Sequence, residues 1–348
     1  MAVGFPAKTT YANGDVFSAS DINDTNGTLN LAAGAPYAAG KNKIINGAFN
    51  VWQRGTSFTT NGVYTADRWK MDWIGSTPTT WSVSQQTFTP GTAPVAGYES
   101  QYYAQISVTT AGSTTAGYWY QRVEDVRTFA GQTVTYSFWA KADSARTITI
   151  YPYQSFPATD WTGTGQNVTL TTSWARYSVT LAMPSVSGKT IGANSFMAAL
   201  IQWSVASGAS YQTWGHQLEA GSVATAFQTA TGTIQGELAA CQRYYYRFTS
   251  NSNSAWGLGT AFSSTVPFFF VNFPTTMRVM PTVLDFSGVQ ITAGSGGTGT
   301  VTSCIIETGV SNQNVGCVSG AGTGLTANAW YYFRSSSASG YLGFGSEL

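Results

Sequence analysis

The chain has 348 residues with 16 basic and 15 acidic side chains, a formal net charge of +1, and only 9 % charged residues, against roughly 25 % in an ordinary soluble domain. Near-neutrality excludes the basic footprint of a nucleic-acid binder. No run approaches the ~20 apolar residues of a spanning helix, so neither nucleic acid nor membrane insertion is expected.

The length implies two or three folded units. The first stretch, residues 1–40, is made of small residues and turn signals. Ser20 can cap one short helix that Gly27 ends. A segment this poor in large hydrophobes cannot build its own core. At ~3.3 Å per residue it could extend over roughly 100 Å, so it is read as an arm that orders on a partner. Its opening, Met1 to Pro6, lacks a basic stretch followed by an apolar one, and no secretory signal is expected.

From Lys41 the texture changes to short strands. Ala104, Ile106 and Val108 alternate with polar residues, as do Val134, Tyr136 and Phe138, and again Ala175, Tyr177, Val179, Leu181 and Met183. This period of two marks half-buried strands. FMAALI (196–201) is apolar on both faces and suits a central strand. The sequence QTATGTIQGELAA (228–240) lacks large hydrophobes. Beyond it RYYYRF (243–248), PFFFVNF (267–273), MPTVLDF (280–286), WYYFRS (330–335) and YLGFGSEL (341–348) resume strand character. TAGSGGTGTVT (292–302) is read as a Gly-rich loop without the GK[ST] ending of a phosphate cradle. The spacing of strands and turns predicts an all-β chain: a jelly-roll β-sandwich over 41–235 and a smaller β-domain over 236–348, preceded by the arm at 1–40.

Three stretches carry a family resemblance: NKIINGAFNVWQRGTSF (42–58) with YTADRW (64–69), HQLEAGSVATAFQ (216–228) with GELAACQRYYYRF (236–248), and FPTTMRVMPTV (273–283) with the closing YLGFGSEL. In order and spacing they resemble tail fibres and related virion appendage proteins of tailed bacteriophages that carry a carbohydrate-binding-module-like jelly roll. That resemblance implies a virion protein made in the host cytoplasm and assembled as a homo-oligomer, usually a trimer. It also implies other virion proteins as partners of residues 1–40, and a host-surface glycan or a purely structural adaptor role. Within these motifs Arg54 or Arg68 is expected to pair with Asp67 or Glu219, tying the first strand to the last, because charges near a core need partners.

Chemistry is weakly represented. His216 is the one histidine. It falls inside a predicted strand, where a packed residue is expected rather than a catalytic base. Cys241, Cys304 and Cys317 have no zinc spacing. Buried thiols are preferred over a Cys304–Cys317 bridge, which a reducing cytoplasm disfavours. No metal and no cofactor are expected. Glycan cleavage needs two carboxylates, for which Glu99, Glu124, Asp125 and Asp160 are the candidates, each equally explained by turns and ion pairs. No catalytic residue is assigned, and an enzyme is not expected. Sugars are recognised by aromatic faces beside neutral polar groups. Trp139 stands on the polar face of its strand with Thr135 and Ser137, Tyr151 and Tyr153 share a face with Thr147 and Thr149, and Trp119 and Trp161 flank turns. These five are the candidates for a glycan site or a subunit interface, since interfaces are also rich in Tyr and Trp.

Overall fold

The computed structural model describes residues 40–76, 78, 80–95, 98–249, 254–293 and 298–348. All of the predicted arm except Gly40, with its short helix, lies outside them. Among the described residues the first unit contains thirteen strands: β1 (Ser57–Phe58), β2 (Trp69–Ile74), β3 (Thr80–Thr87), β4 (Tyr102–Thr110), β5 (Ala116–Gln121), β6 (Val123–Glu124), β7 (Thr133–Ala142), β8 (Arg146–Ser155), β9 (Trp161–Thr162), β10 (Gln166–Leu170), β11 (Ala175–Ala182), β12 (Phe196–Trp203) and β13 (Ala209–Ala220). They form two antiparallel sheets of a jelly-roll sandwich. One runs β1-β3-β4-β13-β7-β11. The other runs β10-β8-β12-β5-β2, with β6 added to β12 and β9 to β8. The FMAALI strand lies between β8 and β5, as its two apolar faces require.

Inward positions of both sheets meet in one core whose centre is aromatic. Trp119 lies 4.5 Å from Trp69 and 5.2 Å from Phe49 between ring centroids, and Trp69 lies 4.7 Å from His216. His216 is fully buried. Its ring stacks on Phe138 at 5.3 Å, and its two nitrogens bond the hydroxyls of Tyr136 and Thr213. The packed setting expected for this strand residue is the one observed. A β-bulge between Trp214 and Gln217 turns it inward. At that bulge Gly215 takes φ +68, and a Cβ there would stand 2.7 Å from the Trp139 ring, so only glycine serves.

The second unit begins after helix α1 (Ile234–Gln242), capped by the Thr233 hydroxyl, at the hydrophobe-poor stretch noted in the sequence. It contains β14 (Tyr245–Thr249), β15 (Ala255–Ala261), β16 (Pro267–Asn272), β17 (Val283–Ser287), β18 (Val289–Ala293), β19 (Thr298–Ile306), β20 (Val315–Gly322), β21 (Trp330–Ser335) and β22 (Tyr341–Gly345). Strands β15-β16-β20-β19-β18-β21 close a barrel, and β14-β22-β17 form a small sheet beside it. Leu342 and Phe344 of that sheet share the barrel's core with Phe269 and Phe333. Residues 298–302, read from sequence as part of a loop, are strand: β19 pairs with β18 and β20, and this partnering outweighs the weak strand propensity of Gly. All three cysteines are buried and free. Burial pushes the Cys304 thiol up to about 12 and the Cys317 thiol to about 11, so both are poor nucleophiles.

The units are joined by buried polar contacts. Glu237 of α1 accepts the Asn46 amide at 2.7 Å and the Thr231 amide at 2.8 Å. Arg54 lies 3.7 Å from Asp67. Arg68 reaches Glu347 of the second unit rather than Glu219, while Glu219 takes Lys41 at 3.4 Å and the Thr225 hydroxyl at 2.6 Å. Arg54 also bonds Glu347, at 3.1 Å. The tie anticipated between first and last sandwich strands therefore runs mainly to the second unit. The tyrosines that follow α1 lie under these guanidinium groups, Tyr244 beneath Arg68 and Tyr245 beneath Arg54.

Burial holds the His216 imidazole well below its ordinary value, whereas the unfolded chain binds a proton near pH 6.5. Its contribution to stability is therefore present above about pH 6.5 and is lost as pH falls toward the depressed folded value. The melting temperature should drop on acidifying from about pH 7.5 to about pH 5. In His216→Gln, less stable at neutral pH, that acid slope should be shallower, as measured by circular dichroism melts across the range.

Candidate functional site

Alternation along the seven-stranded sheet decides what its outer face carries. Trp119 points into the core, so Tyr118 and Tyr120 point out. Ile148 and Ile150 point in, so Tyr151 and Tyr153 point out. On β12 the inward Met197, Ala199 and Ile201 leave Phe196 and Leu200 outside, and on β2 Asp72 and Ile74 face the same way. Together with Arg122, Ser155, Asp160 and Thr162 these groups line an open cleft of about 470 Å³.

The register sets its rows. Tyr151 stands opposite Leu200, Gln202 opposite both Thr149 and Tyr118, and Tyr118 opposite Asp72. One row thus reads Asn167, Thr149, Gln202, Tyr118, Asp72 across five strands, polar throughout. The rings of Tyr118 and Tyr151 face one another at 6.4 Å, inclined at 62°. Tyr153 lies 5.8 Å from Phe196, whose ring also meets the Arg122 guanidinium at 4.8 Å. Tyr118, Tyr151 and Tyr153 remain partly exposed, while Tyr120 and Phe196 form the buried floor.

Hydrogen bonds fix the phenols. Tyr151 donates to Gln202 Oε1 at 3.0 Å, Tyr120 to Asp72 Oδ2 at 2.7 Å, and Tyr153 to Asp160. Burial, reinforced by the Asp160 acceptor, pushes Tyr153 up to about 12. Burial likewise raises Tyr120 and Tyr118. All three are neutral donors at physiological pH. Burial works against ionisation of Asp160. Bonds from Tyr153, the Phe156 amide and Ser155 outweigh it and hold the carboxyl below its ordinary value. The cleft therefore offers ring edges, neutral phenol donors, the Arg122 guanidinium and the fixed Asp72 and Asp160 acceptors, a mixture that complements a hydroxyl-rich ligand.

The sequence-derived candidates divide. Tyr151 and Tyr153 line the cleft. Trp161 is half-buried and faces away from it, its ring beside Pro152 over Gly163. Trp119 is fully buried, with its indole N–H donated to the Thr65 hydroxyl, and is corrected from a surface candidate to a core residue. Trp139 needs the same correction. It stands on the polar face as expected, yet residues 221–230 fold back over that face. Thr135 bonds the Gly221 carbonyl at 2.8 Å, Phe227 packs 6.1 Å from the Trp139 ring, and Arg176 lies over it at 4.6 Å. Missed were Tyr118, Tyr120, Phe196 and Asp72. The signal lay in GYWYQ (117–121), where an inward Trp119 forces both neighbours outward.

The four carboxylates considered for cleavage all have structural partners. Glu99 accepts the Gly91 amide, Glu124 binds Arg243 at 2.9 Å, Asp125 binds Arg127 at 3.1 Å, and Asp160 closes its own loop. A larger hollow of about 650 Å³ beside Tyr98 and Glu99 is poorer in usable rings, since Tyr98 packs on Trp214 and Phe227. Among the described residues no group of His, Cys, Asp and Glu could hold a metal.

No family model matches the chain, and no curated protein is similar to it. Among solved structures it is similar to the enzymatically active domain of tailspike protein 4 of bacteriophage CBA120, at 16 % identity and TM-score 0.35, over 52 % of this chain and 21 % of that one. The match thus spans about a fifth of the tailspike chain. It is also similar to the carbohydrate-binding module CBM4, at 18 % identity and TM-score 0.34, over 51 % and 98 % of the two chains. A third is TmCBM61 in complex with β-1,4-galactotriose, at 12 % identity and TM-score 0.30, over 52 % and 99 %. Similarity at this level decides neither ligand nor activity, which depend on the cleft's own side chains.

Trp119→Ala should cost about 3–5 kcal/mol of stability by leaving a large buried cavity. Tyr151→Ala, at a partly exposed position, should cost about 1 kcal/mol or less. Urea denaturation of the two variants separates the core tryptophan from the cleft tyrosine.

Proposed function

We propose that this chain is a non-enzymatic appendage protein of a tailed-phage virion whose sandwich cleft holds a glycan of the host surface. The observation that carries the glycan reading is the cleft itself. Three partly exposed tyrosines, Tyr118, Tyr151 and Tyr153, surround it on a rigid sheet face, among hydrogen-bonding groups that include the Asp72 and Asp160 carboxylates and the Arg122 guanidinium. Sugar rings present C–H faces to such aromatics and hydroxyls to Asp72, Asp160 and Thr162, and a preformed sheet avoids an ordering cost on binding. The virion role rests on the sequence resemblance over 42–58 with 64–69, 216–228 with 236–248, and 273–283 with 341–348. In this reading residues 1–40 attach the protein to other virion proteins, and the appendage is a homotrimer assembled in the host cytoplasm.

The non-enzymatic part has a chemical basis. A glycosidase needs one carboxyl whose pKa is raised so that it can protonate the leaving oxygen. Asp160, the sequence-nominated acid at the cleft, is shifted the other way. A purely structural adaptor is the competing reading, and it requires the cleft to bind nothing.

The test is a glycan array probed with the purified full chain, followed by affinity measurement on any hit. Wild type should bind without releasing sugar. Tyr151→Ala should lose at least about tenfold in affinity, or about 1.4 kcal/mol. Tyr153→Phe, which keeps the ring and loses only the bond to Asp160, should lose less than Tyr153→Ala. Release of reducing sugar on the array would make the protein a depolymerase. Full binding by Tyr151→Ala would move the site elsewhere.

A further inference from the structure

The outer wall of the barrel carries a second aromatic surface, unrelated to the cleft. Leu258 of β15 stands directly opposite Phe270 of β16 on one side and Tyr332 of β21 on the other. In the next row Thr260 stands between Phe268 and Trp330. Phe262 continues the same face into the turn after β15, its amide bonded to the Val266 carbonyl. These side chains are open to solvent: Phe262 79 %, Trp330 70 %, Leu258 56 %, Phe270 51 % and Tyr332 47 % exposed. The barrel gains nothing from them internally, because its core is filled by their inward neighbours Phe269, Tyr331 and Phe333.

At about 200 Å² per aromatic side chain the four rings alone present roughly 500 Å², and Leu258 and Phe268 extend the patch. That is at the upper end of what a monomer exposes in one piece. With Thr260 between Phe268 and Trp330, and Asn272 at the end of β16, it approaches the ~800 Å² that each partner contributes to a stable interface. The three strands contain one charged residue, Arg334, at the far end of β21. Arg334 shares the outward side with Trp330 and Tyr332 but stands at the wall's edge, so the wall has no charge pattern to select a charged partner, and identical walls can meet over their apolar centre. A foreign partner would need an equally large neutral apolar face, whereas a second copy supplies one by symmetry.

We propose that the wall formed by β16, β15 and β21 is the surface through which copies of this chain associate. Its anchors are Trp330, Phe262 and Phe270, and aromatic residues are the usual energetic centre of such contacts. The contact is apolar, so it persists at high salt.

Sedimentation velocity of the full chain over a dilution series tests this. The wild type should sediment as a closed oligomer with little dependence on salt. The double variant Trp330→Ser, Phe262→Ser should sediment as a folded monomer with the wild-type circular dichroism spectrum, since both side chains are outside the core, and its melting temperature should no longer depend on protein concentration. If that variant fails to fold, Leu258→Thr alone should weaken association by about tenfold or more. A wild type that stays monomeric at every concentration would overturn the proposal, as would an oligomer that survives these substitutions. So would a monomer that binds immobilised oligosaccharides through Trp330, which would make the wall a ligand platform.

Discussion

The desolvated ring cluster between the two sheets fixes the direction of every side chain on the seven-stranded sheet. Phe49, Trp69, Trp119 and His216 lie within contact of one another at the sandwich centre, and burying such rings is the largest apolar contribution this unit has. A strand's side chains alternate, so a one-residue slip would expose Trp119 and drive Tyr118 or Tyr120 inward. The cleft is thus a consequence of the core. Its phenols face out because the indole between them faces in.

Charge scarcity shapes the junction in the same way. With so few ionisable groups, most buried ones are used more than once. Glu347 serves Arg54 and Arg68, Glu237 serves Asn46 and Thr231, and Arg278 holds the backbone carbonyls of Ser346 and Glu347. Breaking one partner of a buried pair leaves the other uncompensated, so these contacts fix how the chain's last residues return to the sandwich even where their net energy is small. Arg122, at the cleft, also bonds the Leu348 carbonyl, which links the cleft's rim to the same return.

The two aromatic surfaces differ in chemistry. In the cleft Tyr120, Tyr151 and Tyr153 have their hydroxyls tied to Asp72, Gln202 and Asp160, so polar groups accompany each ring. On the barrel wall Phe262, Phe270 and Leu258 offer no hydrogen-bonding side chain. The first arrangement suits a wet ligand rich in hydroxyls. The second suits a dry contact.

The amino-acid order alone determined the all-β class, because a period of two in stretches such as 134–138 and 104–108 can be satisfied only by strands with one face buried. It also placed His216 inside a strand and favoured buried thiols, and the structure packs His216 and all three cysteines in the interior. Tyr151 and Tyr153 were legible as outward rings by the same period. What alternation cannot say is what lies over the outward face. Trp139 was placed on the correct side of β7, and only the return of residues 221–230 buried it there. Trp119 was placed one residue away from the outward-pointing pair, Tyr118 and Tyr120, that its own burial creates. The partner of Arg68 stands 279 residues along the chain at Glu347, beyond any local pattern. Strand periodicity is a local property of the backbone, whereas cover, pairing and the assembly of a cleft from five strands arise from contacts between distant segments that the fold alone brings together.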